Sequence, residues 1–446
     1  MPIKTLLNKA DASKVIDGLK DAKANNFPSN LLLPSGNQFS ASSSPGNILK
    51  NHNCNPVNIN ELKEYMAVST IAHNIEGWSY ISQSIQALIN GDHSISMHLA
   101  YYAELRGAFS FLSSEGVLIL NSHQVCLDSS NNIYIPGVTF SQKLRYPATH
   151  SATWDILQEW IQNNTLQTNA LEYFKYKNKT FKELIPFIPH APSSQAAQLV
   201  LIKKWIEKWC FDISQFKSDR EVRNTSSYNV SINKKHTPEG ISEKLKTING
   251  YWKVLEPHSN SFSILDQQLF ALYLDAIYIT ANNRGGPQIL KNDFLDGFFQ
   301  NSGITKDPLL VDMFVNGTQS NIIKQALDTN YDLTNGVKPL TVIARAILLL
   351  RFSLGACNFL LRQSNVNRSD INFYIQQIGE KFGIWDSSSP ADLNDLWVDI
   401  DELLTEFDDY LKQTPPSNIY DFRTSFSNFS PIYTQFNRAG LWGLGI

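Results

Sequence analysis

What the chain lacks narrows its chemistry before any motif is read. No GxxxxGKS or GxxxxGKT loop is present, and no GxGxxG segment opens a strand-to-helix turn. The usual backbone cradles for nucleoside triphosphates and dinucleotides are therefore missing. HExxH, a histidine pair four residues apart and the GxSxG nucleophile elbow are absent too; the histidines stand singly, and their spacing does not favour a metal site. The cysteines, Cys54, Cys126, Cys210 and Cys357, are far apart and form no CxxC pair. That argues against a zinc knuckle or a disulfide framework and for reduced thiols in a cytoplasm. Positive charge is not in excess: the net charge is -3, so any nucleic-acid contact must come from a local patch. A long uncharged apolar run is also missing. "VIARAILLLRFSLGACNFLL" is broken by Arg345 and Arg351, whereas a bilayer span needs about 20 largely uncharged residues. It reads as a core helix, and no membrane partner is expected. The charged start, residues 1–26, reads as a short amphipathic helix, not a signal peptide.

What is there is helical. The hydrophobic fraction of 42% over 446 residues is enough for a large core. After an irregular Ser/Asn/Pro/Gly-rich stretch at 27–57, apolar residues recur at spacings of three and four. The spacing predicts helices near 60–90, 94–121, 149–162 and 194–228, with Asn60 capping the first and Gly116 terminating the second. "QVCLDSSNNIYIPG" carries two β-prone runs around a turn composition and predicts one small β-hairpin near 124–135. The polar break at 229–240 is the best domain boundary. The fold class is mostly α: an N-terminal helix and irregular linker at 1–57, a helical bundle at 58–235, a second helical lobe at 236–412, and an aromatic-rich tail at 413–446 that should pack across the body.

The most informative stretch is "SDREVRNTSSYN". On a helix Arg220, Arg223, Asn224 and Tyr228 share one face, where two guanidinium groups, a carboxamide and a phenol make a grip for phosphate or carboxylate. The competing reading has both arginines near a helix C-terminus, pairing with Asp219 or Glu221. In "HLAYYAELR", His98, Tyr102 and Arg106 also share a face, flanked by Tyr101 and Glu104. Packed beside Arg223, they would supply a base and further phosphate contacts; otherwise His98 is a core histidine and Glu104 half of a buried Arg pair. Arg345 and Arg351 need acidic partners if buried, and Asp275 is the natural candidate. Arg145 and His150 in "RYPATH" are set aside, because Pro147 keeps that segment out of a helix interior.

"RNTSSY" resembles the signature of the HEPN superfamily (higher eukaryotes and prokaryotes nucleotide-binding). Together with "AYYAELRGAFSFL" it looks like the YaaC-like branch, over residues 60–230. The resemblance implies an all-helical bundle in which two motif copies meet across a dimer, with RNA cleaved without metal in many members. Arg223 takes the motif arginine and Asn224 its polar neighbour; Tyr228 stands where the family has histidine. A phenol with an ordinary pKa of about 10 is a poor base at neutral pH. Two functions follow as expectations. One is an interaction, scaffold or sensor subunit of a bacterial toxin or antiphage assembly, with protein partners and an RNA contact. The other is a metal-independent ribonuclease acting as a dimer, with Arg223, Asn224, Tyr228 and His98 catalytic and Arg220, Arg106 and Tyr102 holding phosphate. Neither requires a cofactor.

Overall fold

The computed structural model describes residues 5–41, 45–50, 57–121, 123–136, 138–140, 143–145, 148–163, 167–209, 212–228, 241–258, 262–284, 287–328, 339–426 and 430–444. The chain is mostly helical, as the periodicity predicts. Helix Ile59–Ile89 and helix His93–Ser114 form an antiparallel pair turned by Gly91 at φ 83. The first is capped by Asn58, not Asn60: the Asn58 side chain accepts the amides of Asn60 (3.1 Å) and Glu61 (3.4 Å). The second ends before Gly116, at φ +81, a left-handed position where a Cβ is strained.

Residues 117–120 depart from expectation. "VLIL" lies within the helix predicted at 94–121 but forms strand Val117–Leu120, paired antiparallel with His123–Leu127. The predicted hairpin is its continuation, with Leu127 opposite Ile133 across a turn in which Asp128 Oδ1 accepts the amides of Ser130 (2.9 Å) and Asn132 (2.8 Å). Two short ribbons, 138–140 with 143–145 and 175–176 with 179–180, and an isolated bridge between Pro257 and Phe262 complete the β structure among the described residues. The helix expected at 194–228 is two helices, Gln195–Glu207 and Ile213–Tyr228. Asp212 starts the second by accepting the Ser214 amide at 2.9 Å.

Helix Pro339–Gln363 is the centre of the molecule. It is long and apolar enough to cross a membrane, yet its apolar stretch is wholly buried within the fold. It packs against both helices of the antiparallel pair. Gly107 makes the approach close: a Cβ there would meet Leu349 at 3.1 Å. The boundary expected at 229–240 lies outside the described residues, and the helices before and after it bury side chains in one continuous core. The aromatic tail packs across the body: Trp252 stacks on Phe436 at 4.0 Å, and the Tyr433 hydroxyl donates to Asn249 Oδ1 at 2.8 Å.

Both arginines of the central helix are buried and paired, but not with Asp275, which binds Lys208 at 2.7 Å and Lys291 at 3.4 Å. Arg351 forks onto Asp266 at 2.8 and 2.6 Å. Arg345 forks onto Asp219 at 2.8 and 2.7 Å, donates to the Ala326 carbonyl at 3.3 Å, and has Glu104 3.7 Å from its Nε. Two carboxyls thus face one guanidinium. Burial, with Asp219 beside it, holds the Glu104 carboxyl well above its usual range, so it stays protonated. Breaking a buried pair leaves an uncompensated charge and costs about 3–5 kcal/mol. Asp266→Asn should lower the free energy of unfolding by an amount in that range, read as a lower urea midpoint at unchanged m. Asp219→Asn should cost less, because Glu104 can ionise and take its place. Urea denaturation at neutral pH compares the two.

Candidate functional site

Three helices bring the predicted residues together on a half-exposed face. Helix Ile213–Tyr228 packs on His93–Ser114, and Thr149–Gln162 touches both. Arg223 lies over two rings at once, its guanidinium carbon 5.3 Å from the Tyr101 centroid and 5.4 Å from that of Tyr102. Two such cation–ring contacts restrict where the guanidinium can lie. Nη1 donates to Asn224 Oδ1 at 2.9 Å and Nη2 approaches the Tyr102 hydroxyl at 3.5 Å. Arg220 Nη1 donates to Ser151 Oγ at 2.8 Å. His98 sits against Tyr102 with ring centroids 4.9 Å apart. Arg223, Asn224, Tyr102, His98 and Arg220 therefore converge as the helical spacing predicts.

Three expectations need correction or limit. Arg106 turns away from the cluster, its Nη1 meeting His73 Nδ1 at 3.1 Å and its Nε meeting Glu76 at 3.2 Å. Asp219 points inward to Arg345 and does not serve as a surface partner for Arg220 or Arg223. Tyr228 ends its helix, and its side chain lies outside the described residues.

The residue that sequence reasoning passed over is His150. It is not in a helix interior, but it enters helix Thr149–Gln162 in its first turn. Its ring lies 15° from parallel to that of Tyr101, with centroids 5.7 Å apart and Nδ1 3.0 Å from the Tyr101 hydroxyl. Trp154 donates its indole N–H to the same hydroxyl at 3.3 Å. Burial pushes the Tyr101 phenol upward, so it keeps its proton, and that proton goes to His150 Nδ1. This assigns the His150 proton to Nε2. The only signal in the sequence was a histidine at a helix start, which spacing alone cannot aim.

Both histidines are neutral. Burial and the Arg223 charge depress His98; burial, Arg223 and Arg220 depress His150. Among the described residues no group of three or more His, Cys, Asp or Glu is arranged to hold a metal ion. The face can hold an anion through Arg220 and Arg223, offer aromatic surface beside it, and accept a proton at His98.

No family model matches the chain, and neither a curated protein nor a solved structure does so.

Removing the Arg223 charge removes one cause of both depressions and leaves burial in place. Arg223→Ala should therefore move the titration of His98 and His150 upward toward the ordinary value of about 6.5. Heteronuclear NMR titration of the two imidazoles reads the shift; a downward move excludes this electrostatic account.

Proposed function

We propose that the chain is a HEPN-like interaction subunit that grips RNA phosphate at the Arg220–Arg223 face, working as scaffold or sensor in a bacterial toxin or antiphage assembly. The observation that supports the RNA contact is Arg223 held against the Tyr101 and Tyr102 rings, with Asn224 bonded to it. A planar guanidinium fork matches a phosphate, and flanking rings suit the exposed bases of a single strand. A fixed positive patch in a chain of net charge -3 confines RNA to one face.

A second reading, a metal-independent ribonuclease, is favoured by the neutral His98 beside Arg223. Attack by a ribose 2′-hydroxyl on the adjacent phosphate needs a base, and a neutral imidazole can be one while Arg223 stabilises the developing charge. His150 is less suited to this step, because its basic Nδ1 is engaged by Tyr101; its Nε2–H can donate to phosphate instead.

The test uses purified protein and single-stranded RNA in EDTA. Arg223→Ala should weaken binding about ten- to a hundredfold, as loss of hydrogen bonds to a charged group implies, and lower the salt slope by about 0.7. Cleavage that persists in EDTA and is lost in both Arg223→Ala and His98→Ala establishes the nuclease. Intact RNA with Arg223-dependent binding establishes the grip alone. RNA that binds wild type and Arg223→Ala equally ends both readings. The histidines add a pH dependence whose sign is fixed. Lowering the pH below about 6.5 and through their depressed values adds positive charge, so affinity should rise as pH falls. His98→Ala with His150→Ala should flatten that rise, as fluorescence anisotropy measured across pH would report.

A further inference from the structure

Beside the arginine face lies a cleft of about 600 Å³, between helices Ile59–Ile89 and His93–Ser114 on one side and the C-terminal segment on the other. That is the size of a small-ligand site. Its lining is almost free of charge. Gln83 and Gln86 stand on one wall and Asn437 on another, with Ile95, Leu99 and Phe382 supplying apolar surface. Ile95 is 51% exposed, a large aliphatic group left open to water in the first turn of helix His93–Ser114. The Thr434 hydroxyl donates to Gln86 Oε1 at 2.9 Å and fixes that carboxamide. The Asn437 amide is anchored by Ser82 Oγ at 2.8 Å, while its side-chain Oδ1, in a residue only 6% exposed, meets no donor among the described residues. Lys381 is the one cation of the lining; the Asp92 carboxylate is occupied in capping the Ile95 amide at 2.9 Å.

The cleft continues the arginine face. Tyr80, on the same stretch of helix as Gln83, reaches Tyr102 with ring centroids 5.8 Å apart, and Tyr102 carries Arg223. Leu99 and Ile95 lie three and seven residues before Tyr102, about 4.5 and 10 Å along the helix at 1.5 Å per residue. Stacked nucleotides advance by roughly 3.4 Å each, so this is the distance of one to three steps along a strand.

From these features we infer that the cleft receives an unpaired base of a single-stranded RNA whose phosphate rests on Arg223. The inference rests on the phosphate-binding reading and adds the substrate class: single-stranded, with at least one base splayed from its neighbours. Carboxamides are the side chains that match the donor–acceptor edges of bases, and apolar and aromatic walls match their faces. A phosphate or a carboxylate ligand has little to meet here beyond Lys381. A base held in a duplex offers neither its edge nor its faces.

The experiment compares an oligoribonucleotide of about eight nucleotides, within the range of single-strand sites, with the same strand made abasic throughout and with its duplex. Binding to wild type, Gln83→Ala, Ile95→Gln and Arg223→Ala is followed by fluorescence anisotropy. Gln83 and Ile95 are exposed, so both cleft variants should keep the wild-type thermal melt. Wild type should bind the base-bearing single strand roughly tenfold or more tighter than either alternative, the worth of one well-held base. The cleft variants should erase most of that preference and leave the salt slope unchanged. If they keep it, or if the abasic strand binds wild type as tightly, the base cleft is excluded while Arg223-dependent binding stands. If wild type shows no Arg223-dependent binding to any strand, the phosphate reading itself has failed, and the cleft inference with it.

Discussion

Arg345 in the apolar centre of helix Pro339–Gln363 is the constraint on which the candidate site depends. A guanidinium only 1% exposed cannot remain there without a counter-charge, and Asp219 supplies it through a two-pronged contact. Asp219 belongs to the helix that bears Arg220 and Arg223; Glu104, drawn into the same buried group, belongs to the helix that bears Tyr101 and Tyr102. One guanidinium thus fixes the register between two helices. One turn along the first leads from Asp219 to Arg223, and one turn back along the second leads from Glu104 to Tyr101, where the cation–ring contact forms. The surface geometry is a consequence of the buried one.

The same arrangement explains why the site retains its charge. Arg106, one turn from Tyr102, lies against Glu76; Arg438 lies 2.6 Å from Asp399. Both are cations set beside an acid. Arg220 and Arg223 hydrogen-bond Ser151 and Asn224, neutral oxygens that orient a guanidinium without cancelling it. Arginine ordinarily gives up about 2 kcal/mol of rotamer freedom when fixed, and the two rings under Arg223 impose that loss before any ligand arrives. Burial first, and the arginine charges second, hold the histidines beside it below their usual range. The positive charge of the face therefore comes from its two guanidinium groups, with imidazoles adding to it only in acid.

How far the sequence reveals this depends on whether a feature is local. His98, Tyr102, Arg220, Arg223 and Asn224 were legible because a single helical period aligns them, and the turn at Asp128 because its side chain specifies its own backbone. Residues 117–120 were misread because four apolar residues in a row fit a buried strand and a buried helix equally well. Asp275 was a reasonable partner for the core arginines because any acid on an apolar helix satisfies the same rule; choosing Asp219 and Asp266 required tertiary positions. Asp219 was the harder case. Its neighbours Lys217, Arg220 and Glu221 read as a solvated surface, and only the packing angle of the helix turns that one carboxylate inward. His150 failed for the converse reason: it stands in the first turn of helix Thr149–Gln162, and the start of a helix is where a side chain can reach across to another.

A proton chain links these misreadings to the chemistry of the face. Trp154 donates to the Tyr101 hydroxyl, Tyr101 donates to His150 Nδ1, and His150 is left with Nε2–H as its outer group. Each member is held by the one before it, and the first is an indole buried against Phe216, stacked with ring centroids 4.8 Å apart. An imidazole so oriented presents a hydrogen-bond donor at Nε2. His98 has no such orientation from Tyr102, whose contact with it is ring to ring. The two histidines are therefore placed unlike one another despite their similar electrostatics: the Tyr101 hydroxyl meets His150 Nδ1, whereas Tyr102 meets His98 ring to ring.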